Sequence, residues 1–219
     1  MAKEDPLLII TGPPRSCTTA MAVFCWFMGN SIWPRWTGSN NDKGFEDQLA
    51  IFWSHGIVSG SLSEKEYSHE IANYPYRILK IPHLVTLDDH SAIDEWFRFR
   101  PKLKILLMVR DDLLEAARSM ANNNMGTLAD TPEEAAEILT TRFQSFRERI
   151  NCLGISNKEL THPAFINQPE ETIELLRDFA GISLTPIQDR LNRFTAHGET
   201  PLEIWNSWFD SDRRTEHKS

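Results

Sequence analysis

A short run near the start of the chain has the composition of an anion-binding loop. Residues 12–19 (GPPRSCTT) follow the apolar run 7–10 after one residue, Thr11, and precede a second apolar stretch. If these flanks are a strand and a helix, the loop presents backbone N–H groups at a helix N-terminus, where the helix dipole also favours an anion. Arg15 adds a fixed positive charge, and the hydroxyls of Thr18 and Thr19 add donors. This combination predicts a site for a phosphate or phosphosulfate group.

Two other loop chemistries fit the residues less well. A Walker-type nucleotide-hydrolase loop ends in Gly-Lys-Ser/Thr, but here the corresponding residues are Cys17-Thr18-Thr19, without a lysine. A cysteine phosphatase would need an arginine six residues after the cysteine, and that position is Val23. An ordinary strand–helix turn with the surface arginine Arg15 stays open as an alternative.

The loop resembles the 5′-phosphosulfate loop of the sulfotransferase family, which is commonly G-x-P-R-S-G-T-T. Cys17 departs from it, because the family usually has glycine there, and a Cβ is tolerated only where the backbone avoids a glycine-only conformation. The resemblance implies that seven loop residues bind the donor nucleotide: Gly12, Pro14, Arg15, Ser16, Cys17, Thr18 and Thr19.

A second segment, residues 104–119, is similar to the family's 3′-phosphate-binding segment. The resemblance implies that Arg110 and Ser119 hold the extra phosphate that distinguishes 3′-phosphoadenosine 5′-phosphosulfate (PAPS) from ordinary adenine nucleotides. Two details depart from the family pattern. Asp112 stands where proline is usual, and the spacing from Arg110 to Ser119 is one residue longer than is common.

Two further stretches resemble the family in the order that it requires. Residues 43–46 (KGFE) are similar to its G-[FY]-x-E stretch, which implies that Glu46 is the catalytic base. His83 competes for that role, because some family members place a catalytic histidine shortly after the lysine strand. A helix-start carboxylate at Glu46 and a polar loop histidine at His83 are the alternatives without a catalytic role.

The lysine strand itself is the stretch 80–82 (KIP), which resembles the family's K-x-P segment. It implies that Lys80, together with Arg15, supplies positive charge near the transferring group. The alternative is a solvated lysine at a strand end. Residues 169–182 (PEETIELLRDFAGI) look like the late family helix, so the ordered matches span residues 7–182.

Taken as a set, these matches imply a PAPS-dependent sulfotransferase that transfers a sulfuryl group to a hydroxyl or amine of a small-molecule acceptor. No metal is expected, because the seven histidines and three cysteines form no ligand-like spacing. The alternatives are a P-loop kinase or hydrolase that lacks its lysine, and a non-catalytic nucleotide-binding protein.

The elements that must position these residues alternate between strand and helix. We predict an α/β fold of three-layer P-loop type, with a central parallel sheet flanked by helices, because short apolar runs alternate with amphipathic segments. The predicted strands are 7–10, 77–81 and 104–109. The predicted helices are 18–29, 45–55, 64–73, 91–99, 113–122, 131–152, 169–181 and 201–209. One domain over residues 1–219 is expected, with a flexible tail over about 211–219.

Composition limits the partners of the protein. The net charge of −8 argues against nucleic-acid or anionic-membrane binding, since both require a broad basic surface. No apolar run approaches the roughly 20 residues that span a bilayer, and three scattered cysteines indicate free thiols, so we predict a cytoplasmic protein.

Most of the seven tryptophans should pack in the core, with Trp36, Trp53 and Trp205 the best placed to stack on adenine.

Overall fold

Five parallel strands form the centre of the molecule. The structure is a computed structural model that describes residues 7–13, 16–30, 32–33, 77–81, 84–85, 93–94, 97–98, 102–122, 128–192 and 196–216, without the side chains of 32–33 and 210–216. The strands are β1 (Leu8–Thr11), β2 (Ile32–Trp33), β3 (Ile78–Lys80), β4 (Lys104–Val109) and β5 (Ser156–Thr161). Their order across the sheet is β2-β3-β1-β4-β5.

The register places the ends of the strands side by side. Ile10 of β1 lies opposite Lys80 of β3 on one side and Leu106 of β4 on the other, and Val109 of β4 lies opposite Thr161 of β5. Because all these pairs are parallel, the carboxyl ends of the strands share one edge of the sheet, where ligands bind in open α/β folds.

Helices cover both faces of the sheet. The described helices are α1 (Thr18–Phe27), α2 (Leu113–Asn122), α3 (Pro132–Cys152), α4 (His162–Asn167), α5 (Pro169–Leu175, continuing as a π-helical turn over Leu176–Ala180), α6 (Gln188–Leu191) and α7 (Pro201–Glu216). One face of β1, with Leu8 and Ile10, packs in a core with α1, α5 and α7. The opposite face, with Ile9, packs in a core with α3, and Leu7, the residue before β1, belongs to the same core. The predicted three-layer α/β fold is confirmed.

Helix α3 shows how far local signals determine an element. Thr131 accepts a hydrogen bond from the backbone N–H of Glu134 at 3.2 Å and so caps the helix, and Pro132 occupies its first position. The helix ends at Cys152, as predicted. Its buried residues recur at helical spacing: Ala135, Leu139, Phe143, Phe146 and Ile150.

Some elements were not predicted or have different bounds. Strand β5 reads SNKELT, which has no apolar run, and only Leu160 is buried, because the strand pairs with β4 alone among the described strands. Strand β2 and the short helices α4 and α6 were also not predicted. Helix α7 continues to Glu216, past the predicted end at 209, so the predicted tail is helical over 211–216. The predicted helices 45–55 and 64–73, and most of 91–99, lie outside the described residues.

The aromatic core corrects one expectation. Trp205 is 1% exposed and packs edge-to-face on Phe24 and Phe165, with ring centroids 4.6 and 4.8 Å away. It joins α7 to α1 and α4, and burial on all sides prevents it from stacking on a nucleotide. Trp36 and Trp53 lie outside the described residues.

None of the described helices is long and apolar enough to cross a membrane.

Candidate active site

The loop after β1 is fixed by close packing against neighbouring strands. The hydroxyl of Thr11 donates to the carbonyl oxygen of Ile81 at 2.7 Å, which ties the end of β1 to the chain beyond β3. A Cβ at Gly12 would lie 2.2 Å from the carbonyl oxygen of Met108, a backbone atom of β4 that cannot move aside. Glycine is therefore required at position 12 so that the loop can cross the end of β4.

Ser16 shapes the loop. Its hydroxyl donates to the carbonyl oxygen of Pro13 at 2.6 Å, and the side chain is fully buried. Because this donor is used inside the loop, the Ser16 hydroxyl closes the turn, and its backbone N–H is the group through which it would serve a bound anion.

Cys17 has a backbone conformation that glycine adopts more readily than other residues. With φ 63° and ψ 21°, it is the single described non-glycine residue at positive φ. This left-handed region is open to residues with a Cβ at a cost of about 1–2 kcal/mol, unlike the glycine-only regions. The cysteine therefore fits the loop, with some backbone strain.

Helix α1 directs its N-terminus at the loop. Its first residues are Thr18 and Thr19, and its first turn contains no acid; among the described residues, no side chain caps it. The backbone bond from Met21 N–H to the Cys17 carbonyl oxygen, 3.0 Å, opens the helix directly after the loop. The partial positive charge of this helix end is thus available to an anion held in the loop.

Lys80 is buried beside that helix end. The residue is 1% exposed, and its Nζ donates to Oγ1 of Thr19 at 2.7 Å. Pairing of β3 with β1 places the lysine there, because Lys80 lies opposite Ile10, two residues before the loop. The alternative of a solvated strand-end lysine is therefore wrong.

Arg110 lies on the other side of β1. It directly follows β4, its side chain is 20% exposed, and its guanidinium is 3.6 Å from a carboxylate oxygen of Glu115. Asp112, the residue in place of the family's proline, caps α2: its carboxylate accepts from the Glu115 N–H at 2.8 Å. Ser119, half-buried, follows Glu115 by four residues and so lies on the same face of α2. The α2 face that meets Arg110 therefore also carries Ser119.

His162 is a residue of this edge that the sequence analysis did not select. It directly follows β5, and the pairing of Val109 with Thr161 places it beside Arg110. Burial lowers the pKa of His162 below its ordinary 6.5, and the positive charge of Arg110 lowers it further, while Asp111 acts in the opposite direction. The sequence carried no signal for its position because β5 has no apolar run.

The structure thus brings Gly12, Ser16, Cys17, Thr18, Thr19, Lys80 and Arg110 to one edge of the sheet, with Ser119 on the adjoining helix. Pro14, Arg15, Glu46 and His83 lie outside the described residues, so their assignments stay predictions. Within the part of the chain that the structure describes, no group of three or more His, Cys, Asp or Glu side chains could hold a metal ion.

Three solved structures with a similar fold are sulfotransferases. No protein-family model and no curated protein sequence matches the chain. The sulfotransferase domain from the curacin biosynthetic pathway is 14% identical, with a TM-score of 0.54 over 90% of this chain and 80% of that one. The sulfotransferase domain of the Synechococcus PCC 7002 olefin synthase is 14% identical, with a TM-score of 0.54 over 94% and 89%. Sulfotransferase STF9 from Mycobacterium avium is 12% identical, with a TM-score of 0.50 over 96% and 77%. The chain has the fold of these bacterial-type sulfotransferases.

Proposed function

We propose that the protein is a sulfotransferase that moves the sulfuryl group of PAPS to a hydroxyl or amine of a small-molecule acceptor. The observation that carries this proposal is the placement of two cations around one anion-binding loop. Strands β3 and β4 each pair with β1, so Lys80 and Arg110 flank the loop that leaves β1. A donor with phosphates at both the 5′ and 3′ positions would use both sides of this edge.

In the proposed reaction, the acceptor oxygen or nitrogen attacks sulfur in line with the bond to the 5′-phosphate. A new bond to sulfur forms, the S–O bond to the phosphate breaks, and its electron pair stays on the departing 3′-phosphoadenosine 5′-phosphate (PAP). The acceptor proton passes to Glu46 or, in the competing assignment, to His83. Catalysis of such a transfer depends on positioning and on charge stabilisation at the leaving group.

Each side of the site has its own task in this proposal. The backbone N–H groups of the loop, Thr18 and Arg15 hold the 5′-phosphosulfate, and Lys80 offsets the charge that gathers on the leaving phosphate. Arg110 and Ser119 hold the 3′-phosphate. Positive charge from these side chains replaces the metal ion of P-loop hydrolases, so we propose that no metal is required.

The residues also favour a particular setting for the reaction. Cys25 is buried, Cys17 half-buried and Cys152 exposed, all three as free thiols, which suits a reducing compartment such as the cytoplasm. The net charge of −8 favours small acceptors over nucleic acids, polyanions and membrane surfaces.

Nucleotide binding tests the proposal most directly. Titration calorimetry with PAP, with ADP and with ATP plus magnesium should show that PAP binds at least tenfold more tightly than ADP, because ADP lacks the 3′-phosphate. A preference for magnesium–ATP would instead support a kinase or hydrolase. Turnover of 35S-labelled PAPS then separates an enzyme from a binding protein, since a protein that only binds PAP would release no labelled product with any acceptor.

A further inference from the structure

The contact between Lys80 and Thr19 joins the two sides of the loop. Thr19 is the second residue of α1, and Lys80 is the last residue of β3. The ammonium group is buried and needs hydrogen-bond acceptors, because an unsatisfied buried charge costs several kcal/mol or more. The Thr19 oxygen, 2.7 Å away, is one such acceptor.

The chemistry of the two groups fixes the direction of this bond. A lysine ammonium can only donate, so the hydroxyl oxygen of Thr19 must accept. The hydroxyl proton of Thr19 therefore points away from Nζ and can be donated elsewhere. An ammonium behind the oxygen polarises the O–H bond and makes it a stronger donor.

The position of Thr19 gives that proton a target. Thr19 is the last residue of the anion-binding loop and lies in the first turn of α1, where the proposed function places the 5′-phosphosulfate. A phosphate oxygen at this helix end is an acceptor that gains negative charge as the S–O bond breaks.

We infer that Thr19 is a positioning residue for Lys80, holding its ammonium at the N-terminus of α1 and relaying its charge through the hydroxyl to the 5′-phosphate of the donor. This inference rests on the proposed function. It goes beyond the assignment of Lys80 and Thr19 as separate ligands, because it makes the contribution of each depend on the other.

A double-mutant cycle distinguishes a relay from two independent contacts. The variants are Thr19→Val, which keeps the shape but removes the hydroxyl, Lys80→Met, which keeps the length but removes the charge, and their combination. Thr140→Val is the matched control, since Thr140 is an exposed helical threonine on α3 whose hydroxyl donates only to the Ala136 carbonyl oxygen, at 2.8 Å. Each variant is titrated with PAP and with adenosine 3′-monophosphate, which has no 5′-phosphate.

The relay predicts a specific pattern of dissociation constants. Thr19→Val should weaken the binding of PAP about tenfold, which corresponds to about 1.4 kcal/mol. The affinity for adenosine 3′-monophosphate should stay unchanged. In the Lys80→Met background, Thr19→Val should weaken the affinity for PAP by less than about twofold. Thr19→Ser, which restores a hydroxyl, should bind PAP within about twofold of the wild type, as should Thr140→Val.

Two results overturn the inference while the proposed function stands. In the first, the fold-losses of PAP affinity caused by Thr19→Val and by Lys80→Met multiply in the double variant. In the second, Thr19→Val weakens the binding of both nucleotides equally, as a purely structural role would require. If wild-type protein binds PAP no better than ADP, the proposed function fails and the relay fails with it.

Discussion

Arg110 is the side chain that we expect to distinguish nucleotides with a 3′-phosphate from those without one. Its guanidinium lies at the carboxyl end of β4, 3.6 Å from Glu115, whose carboxylate is largely exposed. Arg110 itself is 20% exposed, but its partner carboxylate is open to water, and an ion pair with an exposed partner is worth about 1 kcal/mol. A phosphate that offers bidentate, charge-assisted bonds can therefore displace Glu115.

Replacement of Arg110 should therefore change specificity more than stability. We expect Arg110→Ala to weaken PAP about tenfold or more by titration calorimetry, while the affinity for ADP hardly changes, since one charge-assisted contact is worth about 1.5–3 kcal/mol. Arg118→Ala is the matched control on α2, because Arg118 is exposed and pairs with Glu133 at 3.2 Å. Equal weakening of PAP and ADP would mean that Arg110 only supports the fold.

The left-handed backbone conformation of Cys17 should make stability depend on which side chain occupies that position. Its positive φ of 63° is a strained state for any side chain and most strained for one branched at Cβ. We expect Cys17→Gly to keep the free energy of unfolding within about 0.5 kcal/mol of the wild type, because relief of strain offsets lost packing. Cys17→Val should lower it by about 1–3 kcal/mol in urea titrations. Equal stability of both variants would contradict the left-handed conformation.

His162 should make stability depend on pH in a defined direction. Burial and Arg110 lower its folded-state pKa below 6.5, whereas the unfolded chain titrates near that value. As the pH falls below 6.5 the unfolded state takes up the proton first, so the contribution of the neutral histidine is fully present above pH 6.5 and is lost below it. In urea titrations, the free energy of unfolding should fall more between pH 7.5 and pH 5.5 for the wild type than for His162→Gln. An equal loss in both proteins would mean that another group carries the pH dependence.

At the scale of elements, the C-terminal end of α1 is fastened to the segment that follows the π-helical turn. Asn30 is buried; its Nδ2 donates to the carbonyl oxygens of Cys25 and Ser183, both at 2.9 Å, and its Oδ1 accepts from the Ser183 N–H at 3.2 Å. One amide thus satisfies backbone groups on two elements and holds α1 in the orientation that directs its other end at the site.

Loss of this amide should be costly. Asn30→Ala removes the amide from a buried carbonyl at Cys25 and from partly buried backbone groups at Ser183, at about 1–3 kcal/mol for each group left unsatisfied. We expect the free energy of unfolding to fall by about 2–4 kcal/mol in urea titrations. Asn192→Ala serves as the control, because Asn192 is exposed and its contact with Gln188 joins two surface side chains. A loss below about 1 kcal/mol for Asn30→Ala would show that water replaces the amide.

Elements with local signals were predictable, and elements stabilised by distant contacts were not. Strand β4 is an apolar run and α3 has its own cap and proline, so both were predicted to within a residue. The late helix was predicted from 169 to 181, but it changes to a π-helical turn over Leu176–Ala180. There the ammonium of Lys104 donates to the Phe179 carbonyl oxygen at 2.6 Å, and Arg77 donates to that of Gly181. These contacts cross more than 70 residues of sequence, so no local pattern contains them.

The same division holds for the candidate site. The loop, Lys80 and Arg110 were selected from the sequence because the segments that contain them resemble motifs of one family in the right order. In the structure, Lys80 ends β3 and Arg110 directly follows β4. His162 stands after the polar strand β5, and the Lys80–Thr19 bond joins residues 61 positions apart, so both required the fold. The burial of Lys80 could not be predicted from the sequence either, because a lysine at a strand end is expected to be solvated unless its neighbours in the fold are known.

At the scale of the whole molecule, the packing couples the site to the far end of the chain. Trp208 of α7 contacts Phe27 of α1 edge-to-face, with ring centroids 5.4 Å apart, and Trp205 contacts Phe24 in the same helix. Helix α1 in turn begins at the loop that follows β1. The C-terminal helix therefore belongs to the same core as α1. That the whole chain forms one domain stays a prediction.

A single domain should be stabilised as a unit when its nucleotide binds. At a PAP concentration 100 times the dissociation constant, the free energy of unfolding should rise by about 2.7 kcal/mol. Amide hydrogens that exchange only through global unfolding should then slow about 100-fold, and by the same factor in β4, α3 and α7. Hydrogen-exchange mass spectrometry measures this factor segment by segment, with an equal concentration of ADP as the control. Slowing in β4 without slowing in α7 would mean that the C-terminal helix unfolds independently, and the molecule would then have to be divided into two units.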